Sequence, residues 1–306
     1  MDKKRIMVTG SNGLLGQKIL DSLSRHTGIS LLATSKGADR YPAPGFYAYT
    51  DLDITDPAQV HQVIHAFQPH TIIHTAAMTN VDACESQQPA CWKLNVDSVD
   101  YIMEAAALTG SHIIHLSTDF IFDGENGPYK EEDQPAPLSY YGMTKEVSER
   151  HLEKYTGKWT IIRTIIVYGI VKDMSRSNIV LWAKKALGEN KEITVVDDQF
   201  RSPTLAEDLA EACLAAAFKE KTGIYHVSGK DFMSILDLVE RVADHYGLNK
   251  ELIRPIKSSS LNQAAKRPPR TGFILDKAIK ELDYKPHSFD EGMKILDAQL
   301  AELGIN

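Results

Sequence analysis

Short apolar runs and longer amphipathic stretches alternate along the first half of this chain. The runs that predict strands are RIMVTG (5–10), ISLLATS (29–35), GFYAY (45–49), HTIIHTAA (70–77), SHIIHLS (111–117) and WTIIRTIIVYG (159–169). The stretches that predict helices lie at 14–26, 57–67, 89–109 and 139–156. This alternation is typical of a parallel sheet with helices on both faces, so we predict an α/β fold with a doubly wound sheet.

The pattern loosens after about residue 170. Its predicted helices lie at 177–187, 205–219 and 234–246, and its predicted strands at 192–196 and 223–228. Pro255, three serines (258–260) and KRPPR (266–270) mark a loop-rich region before a helical tail from Ser288. We expect residues 1–170 to form the first domain, with returns near 190–230, and residues 171–306 to form mainly a smaller, interleaved α/β domain.

Composition narrows the function classes. The 306 residues are 43% hydrophobic with a net charge of −7, which disfavours general binding to polyanionic nucleic acids or membrane surfaces. The three cysteines form no close pair of metal-ligand spacing, as expected of a protein in a reducing compartment. Neither a signal segment nor a run of 18 apolar residues is present, so we expect a cytoplasmic protein.

The first chemical signal is TGSNGLLG (9–16), which follows a predicted strand and opens a predicted helix. In this context Gly10 makes the tight turn, Gly13 lets a pyrophosphate approach the backbone, and Gly16 lets helix and strand pack closely. The alternative is a glycine-rich turn without a ligand. A P-loop is excluded because no Gly-Lys-Ser/Thr follows. We predict a Rossmann-type dinucleotide site formed by Gly10, Asn12, Gly13, Leu14, Leu15 and Gly16.

The end of the second strand bears on the choice of nicotinamide cofactor. A 2′-phosphate needs cations or hydroxyl donors there, and ATSKGADR supplies them in Ser35, Lys36 and Arg40. We therefore favour NADPH, with NADH possible; the alternative is that both cations are solvated loop charges. Asp53 and Ile54, after the third strand, are expected beside the adenine.

Tyr141 and Lys145 stand four positions apart in SYYGMTKEVSER (139–150) and so share a helical face. A nearby ammonium favours the phenolate and lowers the pKa of a tyrosine, which makes it a tunable acid. Tyr141 could then protonate a carbonyl oxygen while a hydride reaches the carbon, and Lys145 could bind the cofactor ribose. Alone, the spacing is common on amphipathic helices.

A strand end strengthens this interpretation. HLSTDFIFDG (115–124) places Ser117, Thr118 and Asp119 at the carboxyl edge of the sheet, where open α/β folds bind ligands. Thr118 could hold the reacting oxygen beside Tyr141. The alternative is that Thr118 and Asp119 form a turn.

Together these motifs resemble the extended short-chain dehydrogenases/reductases, in particular the dTDP-4-dehydrorhamnose reductase branch. The similar blocks are TAAMTNVDACES (75–86), STDFIFDGENGPYKEED (117–133), PLSYYGMTKEVSE (137–149), IIRTIIVYG (161–169), VVDDQFRSPT (195–204) and GIYHVSG (223–229). The resemblance implies an NAD(P)-binding domain over 1–170, a mainly substrate-binding domain over 171–306, and NADPH-dependent reduction of a nucleotide-linked 4-keto-deoxysugar. It implies catalytic roles for Thr118, Asp119, Tyr141 and Lys145, with Thr79 and Val81 near the sugar and Ala76 and Ala77 near the cofactor.

The chain departs from that branch at several positions. Ile166 stands where the family has a tryptophan that faces the sugar, and Arg201 stands where glycine is usual. KRPPRTGFILD (266–276) matches the branch only in part, although Arg267 could meet a nucleotide diphosphate. The alternative is a solvated basic loop.

The same motifs are compatible with two other functions. An epimerase or dehydratase of sugar nucleotides would recycle a bound cofactor, and a non-catalytic regulatory subunit, like that of methionine adenosyltransferase, would only bind it. His61 and His65 share a helical face without a third ligand, so we predict no metal site. We expect a nucleotide-sugar partner and a monomer or homodimer.

Overall fold

The computed structural model describes residues 3–41, 45–175 and 177–305. Its strands are β1 Lys4–Thr9, β2 Ile29–Ser35, β3 Ala48–Asp51, β4 Thr71–His74, β5 His112–Thr118, β6 Trp159–Thr164, β7 Val167–Tyr168, β8 Ile193–Val196, β9 Phe200–Arg201, β10 Thr204–Leu205, β11 Gly223–Val227, β12 Met233–Ser234, β13 Ile253–Ile256 and β14 Arg270–Thr271. Its α-helices are α1 Leu14–Leu23, α2 Pro57–Phe67, α3 Val81–Ser86, α4 Gln88–Trp92, α5 Ser98–Thr109, α6 Tyr140–Leu152, α7 Ile179–Gly188, α8 Ala206–Phe218, α9 Ile235–Tyr246, α10 Asp276–Leu282 and α11 Phe289–Glu302.

The central sheet has seven strands among the described residues, in the order β11-β6-β5-β4-β1-β2-β3, and all of its pairs are parallel. Successive residues of a strand point to opposite faces. In β1, Ile6 and Val8 pack in one buried cluster with α1 and α8, whereas Met7 packs in another with α2 and α5. Helices therefore cover both faces, which confirms the predicted doubly wound α/β sheet.

The second half of the chain both adds to this sheet and forms smaller ones. Strand β11 pairs with β6 although about sixty residues separate them, so the chain returns to the main sheet. Elsewhere β8 pairs with β13, and β9 lies between β12 and β14. Helices α7, α9 and α11 share a separate apolar cluster with β8. The assignment of these parts to two functional domains stays a prediction.

The prediction of one long strand over 159–169 is wrong. Strand β6 ends at Thr164, and after a break β7 pairs with β10 rather than with the main sheet. The break lies at Ile166, whose φ of 29° is in the left-handed region that a β-branched residue rarely adopts. Hydrophobic content alone predicts a continued strand here, because it carries no information about this backbone reversal.

The helix predicted at 89–109 is also more complex than expected. A π-helical turn at Lys93–Asp97 joins α4 to α5, and the additional helix α3 precedes them. The side chain of Asn80 accepts a hydrogen bond from the Ala83 amide at 2.9 Å and caps α3.

The C-terminal helix α11 packs on its own chain. Phe289, Met293 and Leu296 are buried with Tyr168 and the helices of the second half. In the described part of the chain, none of the helices combines the length and apolar character needed to cross a lipid bilayer.

Candidate active site

A cavity of about 570 Å³ opens at the carboxyl end of the central sheet. This is the edge at which open α/β sheets bind their ligands. The predicted site residues that line it are Gly13, Leu14, Leu15, Gly16, Ala77, Thr79, Val81, Thr118, Asp119, Tyr141, Lys145 and Ile166. Residues predicted from the sequence therefore make up about half of the cavity lining.

The glycine loop has the geometry of a phosphate cradle. Gly10 has a φ of 72°, and a Cβ there would lie 2.7 Å from the amide nitrogen of Ala76. A Cβ at Gly16 would lie 2.4 Å from the carbonyl oxygen of Gly10, which explains how helix α1 approaches β1 so closely. Gly13 precedes α1 without a capping side chain, so amides at this helix N-terminus are available to an anion. These features fit a dinucleotide.

Helix α6 brings Tyr141 and Lys145 to the cavity together. Ser139 caps the helix by accepting a hydrogen bond from the Gly142 amide at 3.1 Å. A Cβ on Gly142 would lie 2.2 Å from the Phe120 carbonyl oxygen, so only glycine lets α6 pack this closely against the end of β5. Both functional side chains are buried, at 9% and 2% exposure.

Burial raises the pKa of the Tyr141 phenol well above its ordinary value. A hydrogen bond donated by Thr118 would oppose this rise, and the charge of Asp119 adds to it. Lys145 is not among the main influences on this pKa, so the lowering predicted from the sequence is not found in this structure. Tyr141 therefore holds its proton at neutral pH.

Lys145 has a partner that the sequence did not suggest. Its Nζ lies 2.9 Å from Nε2 of His115, which is buried in β5 and also lies 3.1 Å from the Ser148 hydroxyl. Burial lowers the pKa of Lys145 to about 8, while Glu149 opposes that decrease. Because His115 is held neutral by its own burial, it accepts a hydrogen bond from the ammonium.

Asp119 lies in a buried polar network. Thr118 donates to its Oδ1 at 3.1 Å, while Thr271 donates to its Oδ2 and the Arg201 Nε lies 3.4 Å from the same oxygen. Burial raises the pKa of the Asp119 carboxyl, and these three partners oppose the rise. Asp119 is thus an ion-paired residue, and Arg201 is its cation.

The residues predicted to choose the cofactor lie outside the cavity lining. Lys36 pairs with Asp53 at 2.7 Å and is largely exposed, so its ammonium is already engaged. Arg40 remains next to the glycine loop, where its backbone amide donates to Asn12 at 2.9 Å. Its guanidinium also faces Asp173 at 3.7 Å. Ser35 ends β2, and Ile54 is buried.

The predicted substrate residues are only partly brought together. Thr79, Val81 and Ile166 line one side of the cavity. Arg267 does not, because its guanidinium donates to Asp82 at 2.6 Å and is mostly buried. Ala76 lies behind the cavity, against Gly10.

Several lining residues were not predicted. They include Phe120, Thr164, Ser177 and Asn178. Asn178 accepts hydrogen bonds from the Val180 and Leu181 amides, and this capping position before an apolar helix was a usable signal. The other contacts depend on how distant segments meet at the sheet edge.

The sequence of this chain matches a known protein family over almost its whole length. A family model described as the RmlD substrate binding domain matches residues 4–301. The chain belongs to this family. The resemblance to dTDP-4-dehydrorhamnose reductases inferred from the sequence motifs is confirmed.

Relatives of two kinds share substantial sequence with this RmlD-family chain. The dTDP-4-dehydrorhamnose reductase of Aggregatibacter actinomycetemcomitans is 32% identical over 312 residues, which is 96% of this chain and 98% of that protein. Methionine adenosyltransferase 2 subunit beta of Mus musculus is 33% identical over 270 residues, which is 87% of this chain and 78% of that protein. Sequence similarity therefore does not separate a dTDP-4-dehydrorhamnose reductase from a methionine adenosyltransferase 2 subunit beta.

Solved structures confirm the fold. A dTDP-4-dehydrorhamnose reductase from Clostridium acetobutylicum superposes with a TM-score of 0.85 at 28% identity, covering 97% of this chain and 99% of that one. The Bacillus anthracis dTDP-4-dehydrorhamnose reductase, solved in complex with NADP, gives a TM-score of 0.82 at 27% identity, with coverage of 97% and 99%.

Proposed function

We propose that this protein is an NADPH-dependent reductase of the 4-keto group of a nucleotide-linked deoxysugar. The observation that carries the proposal is that a glycine-loop helix start, a protonated phenol and a buried ammonium line one cavity. A reductase needs these three elements within reach of one carbonyl group. The family relationship supports the same substrate class.

The chain's own residues supply binding and proton transfer. Amides at the start of α1 and the nearby Arg40 would hold the phosphates, and Lys145 would donate to the ribose hydroxyls. When bound, a reduced nicotinamide supplies hydride to the carbonyl carbon. Tyr141 would give its proton to the carbonyl oxygen, a role that suits a phenol whose pKa is raised by burial.

Thr79, Val81 and Ile166 would surround the sugar. Ile166 is held in a strained backbone conformation at the cavity wall, and such outliers are frequent at ligand sites. Its aliphatic side chain in place of an aromatic one would change how the sugar ring packs. The identity of the sugar therefore has to be found by assay.

Oxidation of NADPH in the presence of candidate sugars tests this proposal. Purified protein is mixed with NADPH and a panel of nucleotide-linked 4-keto sugars, and the absorbance of the reduced nicotinamide is followed. We expect net oxidation of NADPH with at least one dTDP-linked sugar. Tyr141→Phe should lower kcat by roughly 100- to 10,000-fold, because it removes the proton donor. Tyr140→Phe, one position earlier on the same helix, is the matched control and should keep its activity.

The second candidate is a non-catalytic, NADP-binding regulatory subunit. The observation that favours it is the similarity to methionine adenosyltransferase 2 subunit beta. Calorimetric titration with NADPH, combined with the turnover assay, distinguishes the two. Tight NADPH binding without turnover on the whole panel, and with no effect of Tyr141→Phe on any measured property, would contradict the reductase and support the regulatory subunit.

A further inference from the structure

Arg201 is the least expected residue near the site. It is 2% exposed, in a strand where the resemblance leads one to expect glycine, and it is among the largest fully buried side chains of the described residues. Its Nη atoms donate to the carbonyl oxygens of Phe200 at 2.7 Å, Pro268 at 2.6 Å and Pro269 at 3.3 Å. A guanidinium is buried only where its charge and donors are satisfied, so Arg201 needs an anion as well as these carbonyls.

That anion is Asp119. Strands β9 and β14 run parallel with Arg201 opposite Thr271, and both side chains contact Oδ2 of Asp119. The other oxygen, Oδ1, accepts from Thr118 at 3.1 Å. Side chains of β9 and β14, two strands from the second half of the chain, thus hold the Asp119 carboxylate in place just after β5.

We propose that Arg201 is a positioning residue that keeps Asp119 anionic and thereby directs the hydroxyl proton of Thr118, which lines the cavity together with Tyr141, to Asp119. A carboxylate only accepts hydrogen bonds, so the single hydroxyl proton of Thr118 is directed to Asp119. The Thr118 oxygen accepts from the Phe120 amide at 3.2 Å, and Thr118 and Tyr141 line the same cavity. With its proton engaged by Asp119, Thr118 cannot also donate to the oxygen of Tyr141.

The consequence concerns the state of the phenol. A phenolate at Tyr141 would need a hydrogen bond from Thr118, whose proton is already engaged, and it would face the negative charge of Asp119. The network therefore favours the protonated phenol, which can give a proton to the carbonyl oxygen when a ketone accepts hydride from a reduced nicotinamide, over the phenolate, which would take a proton from an alcohol in the reverse reaction. For this catalytic consequence the inference rests on the proposed function.

The neighbourhood contains few other charges that could act in place of Arg201. Among the described residues, the main titratable influences on Asp119, Arg201 and Tyr141 are these residues themselves, Arg267, which acts on Arg201, and the thiols of Cys84 and Cys91, which act on Tyr141. Arg267 is paired with Asp82. Removing Arg201 would leave a buried carboxylate without a cation, and such a group takes up a proton.

The first test measures stability rather than activity. In Arg201→Met the folded protein should retain a proton on Asp119 that the unfolded chain, with a pKa of about 3.9, releases. Stability of the variant is then lost as pH rises from that value through the raised folded pKa. We expect the difference in denaturation midpoint between wild type and Arg201→Met to widen as pH rises above the unfolded pKa of about 3.9, because the wild type keeps the cation that opposes protonation of Asp119.

Matched variants separate charge from packing. Loss of the bonds to the three carbonyls lowers the midpoint equally at every pH, so only the pH-dependent part reports on Asp119. That part should vanish when Arg201→Met is made in an Asp119→Asn background, and Arg201→Lys should remove most of it. Arg254→Met, which breaks the exposed pair with Glu192, should show none. If Arg201→Met does not fold, Thr271→Val removes a donor from the same oxygen and should give a smaller shift of the same sign.

The second test uses the pH profile of NADPH oxidation. With Asp119 neutral and Thr118 free to donate, the phenolate is favoured, so the alkaline limb should move down by about one pH unit in Arg201→Met. A pH-independent stability loss, or one that persists with Asp119→Asn, would overturn the ion-pair inference whether or not the protein is a reductase. The expected stability result without turnover on any sugar would instead overturn the proposed function alone.

Discussion

At the scale of single residues, the site depends on how burial changes protonation. Tyr141 and Lys145 lie on the same helix, but burial moves their pKa values in opposite directions, raising that of the phenol and lowering that of the ammonium. Desolvation disfavours the charged form of both groups. The phenol therefore remains a proton donor over a wide pH range, whereas Lys145 is close to losing its proton under mildly alkaline conditions.

Burial of the Lys145 ammonium should lower the free energy of unfolding of the protein. Its pKa is 10.5 in the unfolded chain and about 8 when folded. Between these values the unfolded chain holds a proton that the folded chain has released, so stability rises with pH, and below about pH 8 the full cost applies. Lys145→Met should raise the free energy of unfolding at about pH 7 by up to about 3 kcal/mol. The gain should disappear above about pH 10.5, as measured by chemical denaturation.

The lost hydrogen bond to His115 reduces that gain, because it leaves a buried ring nitrogen without its donor. Lys154→Met, an exposed lysine just after the same helix, is the control and should change stability little at any pH. A Lys145→Met protein that is less stable than wild type at neutral pH would show that the bond to His115 outweighs desolvation.

At the scale of secondary-structure elements, two glycines of the same loop have different roles: Gly16 allows close packing, and Gly13 leaves room for a ligand. A Cβ at Gly16 would meet backbone atoms of β1's own turn at 2.4 and 2.7 Å, whereas one at Gly13 would meet only the Gly10 carbonyl oxygen at 3.2 Å. Gly13 also has an ordinary φ of −81°. The two glycines lie in one loop and have different physical reasons to lack a side chain.

We expect Gly16→Ala to lower the free energy of unfolding by about 1–3 kcal/mol, because the backbone must move to admit the methyl group. Gly13→Ala should change stability by much less and should weaken NADPH binding at least tenfold by occupying the place of a phosphate. Denaturation and calorimetric titration measure the two effects. Gly188→Ala, where a Cβ meets no atom within 4 Å, is the control and should leave both unchanged. Equal losses of NADPH affinity in Gly13→Ala and Gly188→Ala would refute a phosphate cradle.

At the scale of the whole molecule, segments distant in the sequence close the site. The loop before β14 is joined to α3 by the pair of Arg267 with Asp82 at 2.6 Å and by the Ala265 amide, which donates to Asp82 at 3.0 Å. Arg201 fastens the same loop to β5. The second half of the chain is therefore tied to α3, which begins at Val81 on the cavity lining.

Asp82→Asn should loosen the attachment of α3, and with it the position of Val81, without touching the glycine loop. We expect the KM for the sugar nucleotide to rise several-fold with kcat and NADPH affinity nearly unchanged, since contacts made equally in the ground and transition states are lost. Steady-state kinetics with each substrate varied in turn measures this. Asp290→Asn, at an exposed pair with Arg241, should leave KM unchanged. A drop in kcat alone would argue against a role of Asp82 in substrate binding.

The local pattern of residues was sufficient for the sheet and for the cofactor loop. Alternation of apolar runs with helical periodicity depends on neighbouring residues, and so does the requirement for glycine at a tight turn. The spacing of Tyr141 and Lys145 likewise placed them on one face of α6. These features survive in the fold because they are encoded within one element or one turn.

The sequence by itself determined that a doubly wound sheet would present a glycine loop, a strand end and a Tyr-Lys pair at one edge. Only the tertiary structure decided the electrostatics there: Lys145 bonds to His115, Arg267 to Asp82, and Arg201 to Asp119. Each of these contacts joins residues from different elements, and its energy depends on how far both groups are removed from water. No local pattern contains that information, because desolvation is a property of the packed molecule.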